Sequence, residues 1–192
     1  MGGNSKKIVA IAASTGGVEA LETVLSAFPA NGPPVVVVLH MPPGFTKLLA
    51  QRLNDNYPIR MREAKTGDRL ENGLVLIAPG GSHMRVVARD GLIITDIFDG
   101  PKVNHVIPSA DVLFESVAHM YESRAVGIVL TGMGNDGAAG LLSMRLHGAI
   151  TIGQNEETSA IYGMPKAAYD MGAVKHQLPL KEIGRCALGF AK

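Results

Sequence analysis

The 192-residue chain has the size of one α/β domain, and its composition, 46% hydrophobic and 18% charged, is typical of a folded globular protein. No apolar run reaches the roughly 18 residues that a membrane helix needs, so we expect no membrane insertion. The 18 Lys and Arg nearly balance the 17 Asp and Glu, which leaves no net field to attract nucleic acid. With one cysteine and no secretion-signal pattern, we predict a cytoplasmic protein.

The first half of the chain alternates apolar runs with helical patterns. Residues 1–6 precede any strand-like sequence and are interpreted as a flexible leader, with a single domain over residues 7–192. Apolar runs at Ile8–Ala13 and Val35–Leu39 predict buried parallel strands. Helical spacing of apolar residues follows each run, and the predicted helices cover residues 18–28 and 46–54.

The middle of the chain has a different pattern. Short strand candidates at residues 74–78, 84–88 and 92–96 are joined by glycine-containing turns, and Asp90-Gly91 fits a tight hairpin. This stretch predicts a short antiparallel excursion from a parallel sheet.

Strand and helix alternate again in the second half of the chain. The predicted elements are a helix over 109–120, a strand over 125–130, a helix over 138–147, a strand over 150–153, a helical stretch containing Pro165 and a strand over 174–178. Repeated alternation of this kind predicts a doubly wound three-layer α/β/α fold with a mostly parallel sheet. Ligand sites in such sheets lie at the carboxyl ends of the strands.

Three polar side chains follow predicted strands and form a possible catalytic set. Ser14 follows the first strand, His40 the second, and Asp136 lies in the loop after the strand that ends at Leu130. A serine hydroxyl needs an imidazole to take its proton, and a carboxylate orients that imidazole and stabilises its positive charge. The glycines Gly16-Gly17 place Ser14 at a helix start, where backbone N–H groups favour a developing negative charge.

Each residue also has a non-catalytic interpretation. On local pattern alone, Ser14-Thr15-Gly16-Gly17 is typical of an ordinary turn or a phosphate cradle, His40 of a structural histidine, and Asp136 of a cap on the following helix. A non-catalytic phosphate- or nucleotide-binding domain and a small-molecule esterase therefore stand as alternatives to a protein-directed hydrolase.

The other histidines show no metal-ligand spacing, so we expect no metal and no cofactor. His105 lies in a loop bounded by Gly100 and Pro108, which we expect to border the same sheet edge. It is a secondary candidate, with a solvent-facing loop residue as the alternative.

Several motifs resemble the catalytic domain of the chemotaxis receptor methylesterase family, CheB. They occur in the family's order from about residue 7 to residue 183, and they are the segments Ile-Ala-Ala-Ser-Thr-Gly-Gly at 11–17, Leu-His-Met-Pro-Pro-Gly-Phe-Thr at 39–46, Leu-Ile-Ala-Pro-Gly-Gly-Ser-His-Met at 76–84, Leu-Thr-Gly-Met-Gly-Asn-Asp-Gly-Ala at 130–138, Gly-Gln-Asn at 153–155 and Tyr-Gly-Met-Pro at 162–165.

The resemblance implies a hydrolase that demethylates glutamyl methyl esters on the cytoplasmic helices of chemoreceptors and releases methanol. It also implies deamidation of receptor glutamines in some members. The family's nucleophile, base and orienting carboxylate fall on Ser14, His40 and Asp136. The backbone amide of Met133 falls beside the oxyanion and Thr15 in the substrate site.

Three departures from the family pattern are visible. Ala12 stands where the family often has Gly, and Ile107 precedes Pro108-Ser109 where the family commonly has Arg, which leaves the role of His105 open. The phosphorylatable receiver domain that usually precedes the catalytic domain has no counterpart here. We therefore expect an excised catalytic domain, a stand-alone relative, or a receiver supplied by another protein.

Overall fold

The computed structural model describes residues 7–191, and the predicted leader at residues 1–6 lies outside them. The strands are β1 (Ile8–Ala13), β2 (Val35–Leu39), β3 (Arg60–Glu63), β4 (Leu74–Ile77), β5 (His83–Arg89), β6 (Leu92–Phe98), β7 (Ala125–Val129), β8 (Ile150–Gln154) and β9 (His176–Leu178). The helices are α1 (Gly17–Leu25), α2 (Phe45–Asn56), α3 (Ala110–Tyr121), α4 (Ala138–Leu146), α5 (Met164–Asp170) and α6 (Leu180–Phe190), with a 3₁₀ turn over Glu122–Arg124.

Seven strands form one sheet in the order β3-β4-β2-β1-β7-β8-β9, and every neighbouring pair in it is parallel. The hairpin β5-β6 forms a separate antiparallel sheet of two strands. The α/β fold with a mostly parallel sheet and an antiparallel excursion is thus confirmed. The strand at 74–78 differs from its predicted grouping, because β4 pairs in parallel with β2 and β3, whereas the antiparallel sheet is formed by the hairpin β5-β6.

The central strands are buried on both faces, which is why they read as unbroken apolar runs. Along β1, Val9 and Ile11 face a core shared with α1, α2 and α6, whereas Ile8 and Ala10 face a core shared with α3, α4, α5 and the hairpin. These two cores lie between the sheet and the elements packed on each of its faces, which gives a three-layer arrangement. No helix within residues 7–191 has the length and apolar character needed to cross a membrane.

The order in which strands are added to the sheet changes direction at β1. Strands β2 to β4 extend to one side of β1, while β7 to β9 extend to the other. In a doubly wound sheet this switch point opens a crevice at the carboxyl ends of the two central strands. The loops that follow β1, β2 and β7 meet there.

Two elements lie outside the sequence-based prediction. The edge strand β3 is short, and only Met61 of its four residues is fully buried. The helix α6 follows the last predicted strand and contains two glycines, Gly184 and Gly189, which weaken its intrinsic helix propensity.

Candidate active site

The sheet register places Ser14 between the ends of two neighbouring strands. On one side the His40 amide donates to the Ala13 carbonyl at 3.2 Å, which continues the β1–β2 pairing. On the other side the Ser14 amide donates to the Thr131 carbonyl at 3.0 Å, beyond the end of β7. Because adjacent strands lie about 4.8 Å apart, Ser14 and His40 are neighbours across this edge.

A tight turn lifts Ser14 out of the sheet and leads directly into α1. The Gly17 amide donates to the Ser14 carbonyl at 2.7 Å, and Gly16 has φ 74°, as the third residue of a type II turn requires. Gly132 packs against Ser14 so closely that a Cβ on this glycine would lie 2.7 Å from the Ser14 Cβ. Ser14 is partly exposed, and its hydroxyl makes no hydrogen bond within residues 7–191.

His40 and Asp136 form a hydrogen-bonded pair. The distance from His40 Nε2 to Asp136 Oδ2 is 2.8 Å, and Asp136 is only 2% exposed. Burial by itself would raise the pKa of the Asp136 carboxyl, but hydrogen bonds from His40, Ser109, the Ala110 amide and Asn104 outweigh it and hold the pKa below its ordinary value. Asp136 is therefore an ionised carboxylate, and His40 Nε2 is the donor.

The Asp136 carboxylate is fixed at the start of α3. Its Oδ1 accepts the Ser109 hydroxyl at 2.6 Å and its Oδ2 accepts the Ala110 amide at 2.6 Å. A carboxylate at this position satisfies free N–H groups and favours the positive end of the helix dipole. Asp136 does act as a helix cap, but on α3 rather than on the following helix α4, and it binds His40 at the same time.

His83 helps to hold Asp136 in place indirectly, through Ser109. Its Nδ1 accepts the Ser109 amide at 3.2 Å and its Nε2 donates to the Pro101 carbonyl at 2.9 Å, which defines a neutral ring that is 1% exposed. Both ring nitrogens of His83 are thus occupied by backbone partners. Its effect is to hold Ser109, whose hydroxyl holds Asp136.

The loop after β7 has a fixed peptide group between Gly132 and Met133. The Gly132 carbonyl accepts the amides of Gly163 at 3.1 Å and Met164 at 2.8 Å. Because a trans peptide points its N–H opposite to its carbonyl, the Met133 amide points away from α5. This amide makes no hydrogen bond within the described chain, and the Met133 side chain is 70% exposed.

Thr15 is exposed beside Ser14, and its carbonyl is held by the Thr131 hydroxyl at 3.0 Å. Thr131 is itself buried, and its amide donates to Gln154 Oε1 at 2.8 Å. The loops after β1 and β7 are therefore joined by side chains as well as by backbone. Neither Thr131 nor Gln154 could be assigned this role from local sequence, because their partners are distant along the chain.

The loop that carries His40 rests on the loop after β4. The buried Thr46 hydroxyl accepts the Gly80 amide at 3.0 Å and donates to Glu63 Oε1 at 2.6 Å. A Cβ on Gly80 would lie 2.6 Å from the Met41 carbonyl oxygen, so only glycine fits there. The segment after His40 is thus held against a second, fixed loop.

An open cleft of about 400 Å³ lies beside His40. His105 and Lys102 line it from the loop before α3, and both are exposed. The structure thus places His105 at the same cleft as His40. Lys102 has no ion-pair partner within residues 7–191.

A larger cleft of about 830 Å³ lies against the carboxyl end of α6, near Pro29, Asn72 and Arg185. Among residues 7–191, no Ser, His, Asp or Glu side chain lines it, so this cleft lacks the residue types that meet at the strand ends. Across the part of the chain that the structure describes, no group of three or more His, Cys, Asp or Glu residues is arranged to hold a metal ion.

Fold and site together define a doubly wound α/β protein with a Ser, His and Asp set at the switch point of its sheet. Residues 9–186 match the family model described as CheB methylesterase. The chain belongs to the CheB methylesterase family.

Curated relatives and a solved structure agree with this assignment. A protein-glutamate methylesterase/protein-glutamine glutaminase of Agrobacterium fabrum is 53% identical over 93% of this chain and 51% of the relative. A second of that description, from Syntrophomonas wolfei, is 50% identical over 93% of this chain and 52% of the relative. The crystal structure of the Thermotoga maritima CheB methylesterase catalytic domain superposes with a TM-score of 0.92 at 37% identity, covering 95% of this chain and 97% of that one. The chain therefore spans about half the length of these curated relatives.

Proposed function

We propose that this chain is a serine hydrolase that removes methyl groups from glutamyl methyl esters on the cytoplasmic helices of chemoreceptors and releases methanol. The observation that carries the proposal is the 2.8 Å hydrogen bond from His40 to the buried Asp136, with Ser14 on the adjacent strand end. The relatives' printed name, protein-glutamate methylesterase/protein-glutamine glutaminase, supplies the substrate class.

The proton positions follow from the hydrogen bonds of His40. Its Nε2 carries a proton because it donates to the Asp136 carboxylate, so Nδ1 has the free lone pair of the neutral ring. Nδ1 accepts the Ser14 proton as the Ser14 oxygen attacks the ester carbonyl. The resulting imidazolium is stabilised by Asp136, which stays ionised throughout.

The tetrahedral intermediate carries its negative charge on the former carbonyl oxygen. The Met133 amide serves as a donor to this oxygen, because it is unpaired and lies on the loop that packs against Ser14. Thr15, exposed next to the nucleophile, contacts the substrate. His105 contributes to the wall of the cleft, which it shares with His40 and Lys102.

Collapse of the intermediate expels methanol, which takes the proton from His40. Water then attacks the acyl-enzyme with His40 again as base, and glutamate and free Ser14 are released. A glutamine side chain passes through the same acyl-enzyme with ammonia as the leaving group. Deamidation is therefore a second activity of the same residues.

The shape of the site favours a macromolecular substrate over a small ester. The cleft is open, and Met133 and Ile161 expose 70% and 41% of their surfaces at this edge of the sheet. A helix laid across the strand ends can reach Ser14 and cover these apolar side chains at the same time. The proposed partners of the intact protein are the cytoplasmic helices of chemoreceptors and a receiver domain.

The direct test is methanol release from a chemoreceptor cytoplasmic fragment carrying radiolabelled methyl esters. Ser14→Ala should lower the rate by at least three orders of magnitude, while Ser123→Ala, the same change at an exposed site, and Arg89→Ala should leave it unchanged. Turnover of Ser14→Ala at the wild-type rate would overturn the proposal.

The alternatives give different outcomes in parallel assays. Hydrolysis of p-nitrophenyl acetate without methanol release from the receptor would indicate a small-molecule esterase. Calorimetric binding of ATP by a chain that is inactive on both esters would indicate a binding domain.

A further inference from the structure

A tight turn just before α3 brings an amide side chain to Asp136. Val103 and Val106 exchange two backbone hydrogen bonds of 3.1 and 3.0 Å, and the two residues between them, Asn104 and His105, have φ of 50° and 66°. Positive φ at both central positions is the signature of a type I′ turn. Asn adopts this conformation at lower cost than most residues with a Cβ.

The Asn104 amide lies between two carboxylates and donates a hydrogen bond to each of them. Its Nδ2 donates to Asp136 Oδ1 at 2.9 Å and to Asp111 Oδ2 at 2.6 Å. The other Asp111 oxygen accepts the Gly140 amide at 2.6 Å in the first turn of α4. Asp136 therefore caps α3 while Asp111, on α3, caps α4, and Asn104 links the two.

This bridge fixes the rotation of the Asp136 carboxylate. The Oδ1 atom is held by Asn104 and Ser109, which leaves Oδ2 directed at His40 and the Ala110 amide. The bridge also places a donor between two acids that would otherwise repel each other. The pKa of the Asp111 carboxyl is raised, chiefly because the group is buried. Hydrogen bonds from Gly140 and Asn104 lower this pKa, and the nearby charge of Asp136 raises it.

We propose that Asn104 is a positioning residue for the proposed reaction. Its side chain orients Asp136 toward His40 and ties the cleft loop that carries Lys102 to the same carboxylate. The inference rests on the proposed function. The inference predicts that Asn104, which lies outside the Ser, His and Asp set, affects kcat without contacting the substrate.

Two substitutions separate the amide from the turn. Asn104→Gly keeps a residue that favours positive φ and removes both donors, whereas Asn104→Asp keeps the shape and places a third carboxyl against two others. Asp90→Gly is the matched control, because Asp90 has φ 51° in the β5–β6 hairpin turn and lies outside the site.

Methanol release and proton NMR of the His40 ring are measured on each variant. Asn104→Gly should lower kcat about 10- to 100-fold with little change in KM, and Asn104→Asp should lower it further. The resonance of the His40 Nε2 proton should shift or broaden in both variants and stay in place in Asp90→Gly. Urea unfolding of each variant establishes that it is folded under the assay conditions.

Wild-type kcat together with an unmoved Nε2 resonance in Asn104→Gly would overturn the positioning role. An active Ser14→Ala variant would instead overturn the proposed function, whatever Asn104→Gly does. Because the NMR readout needs no turnover, it tests the link from Asn104 to His40 in either case.

Discussion

Asp136→Asn removes the charge that stabilises protonated His40 while it preserves the size of the side chain. The Asn oxygen has to occupy the Oδ2 position, because the Ala110 amide lies 2.6 Å away and would repel an NH₂ group. The His40 Nε2 hydrogen bond, 2.8 Å in the native protein, then persists as a neutral one. The Asn NH₂ falls at Oδ1 and faces the Asn104 NH₂, so that contact is lost.

The expected loss of rate follows from the charge. Attraction between an imidazolium and a carboxylate about 4 Å apart is about 4 kcal/mol at an effective dielectric constant of about 20. Each 1.36 kcal/mol is tenfold in rate, so kcat should fall about a thousandfold. KM should change little, because the lost attraction acts on the charge that develops on His40 as Ser14 attacks the ester.

The assay is steady-state methanol release at neutral pH, with Asp55→Asn on the exposed face of α2 as the matched control. The control should equal the wild type. An Asp136→Asn variant that keeps more than a tenth of the wild-type kcat would refute the electrostatic reasoning, because the pair would then contribute less than about 1.4 kcal/mol to the barrier.

Two further predictions concern stability and packing. Because its pKa is lowered in the folded protein, Asp136 stabilises the fold fully above its ordinary pKa of 3.8, and this contribution is lost as pH falls through the lower native value. Urea unfolding should therefore show the advantage of wild type over Asp136→Asn shrinking below about pH 4, and an advantage that grows on acidification would contradict the sign. Gly132→Ala places a Cβ 2.7 Å from the Ser14 Cβ and 2.5 Å from Met164 Sδ, so both Tm and methanol release should fall, with a stability cost of about 1–3 kcal/mol. Gly189→Ala is the control, because nothing lies within 4 Å of the added atom, and it should leave activity unchanged and raise the Tm. A Gly132→Ala variant with wild-type Tm and wild-type methanol release would contradict the packing argument.

Local sequence is enough to place the central strands and the residues that follow them. Parallel strands buried on both faces are continuous apolar runs, so Ile8–Ala13 and Val35–Leu39 are recognisable and point to Ser14 and His40. The edge strand β3 carries exposed Arg side chains and has no such signal. The helix α6 is amphipathic, but its glycines weaken the pattern, and packing against α1 compensates for them.

The residues that hold Asp136 are not visible in the sequence for a different reason. Asn104 and Ser109 act through hydrogen bonds to a residue 32 and 27 positions away, and Asp111 acts on a different helix from its own. These contacts depend on how α3 and α4 pack, which no local pattern records. The same packing explains why Asp136 caps α3, when proximity in sequence suggested the helix that follows it.

The most direct measurement for the central claim is covalent labelling of the nucleophile. The protein is treated with a fluorophosphonate, which reacts with an activated serine, and digested for mass spectrometry, alongside His40→Ala and Ser123→Ala variants. We expect one adduct per chain on the peptide containing Ser14, retained in Ser123→Ala and strongly slowed in His40→Ala, because His40 activates the hydroxyl. No adduct at Ser14, or the same labelling rate without His40, would contradict the assignment of Ser14 and His40 as nucleophile and base.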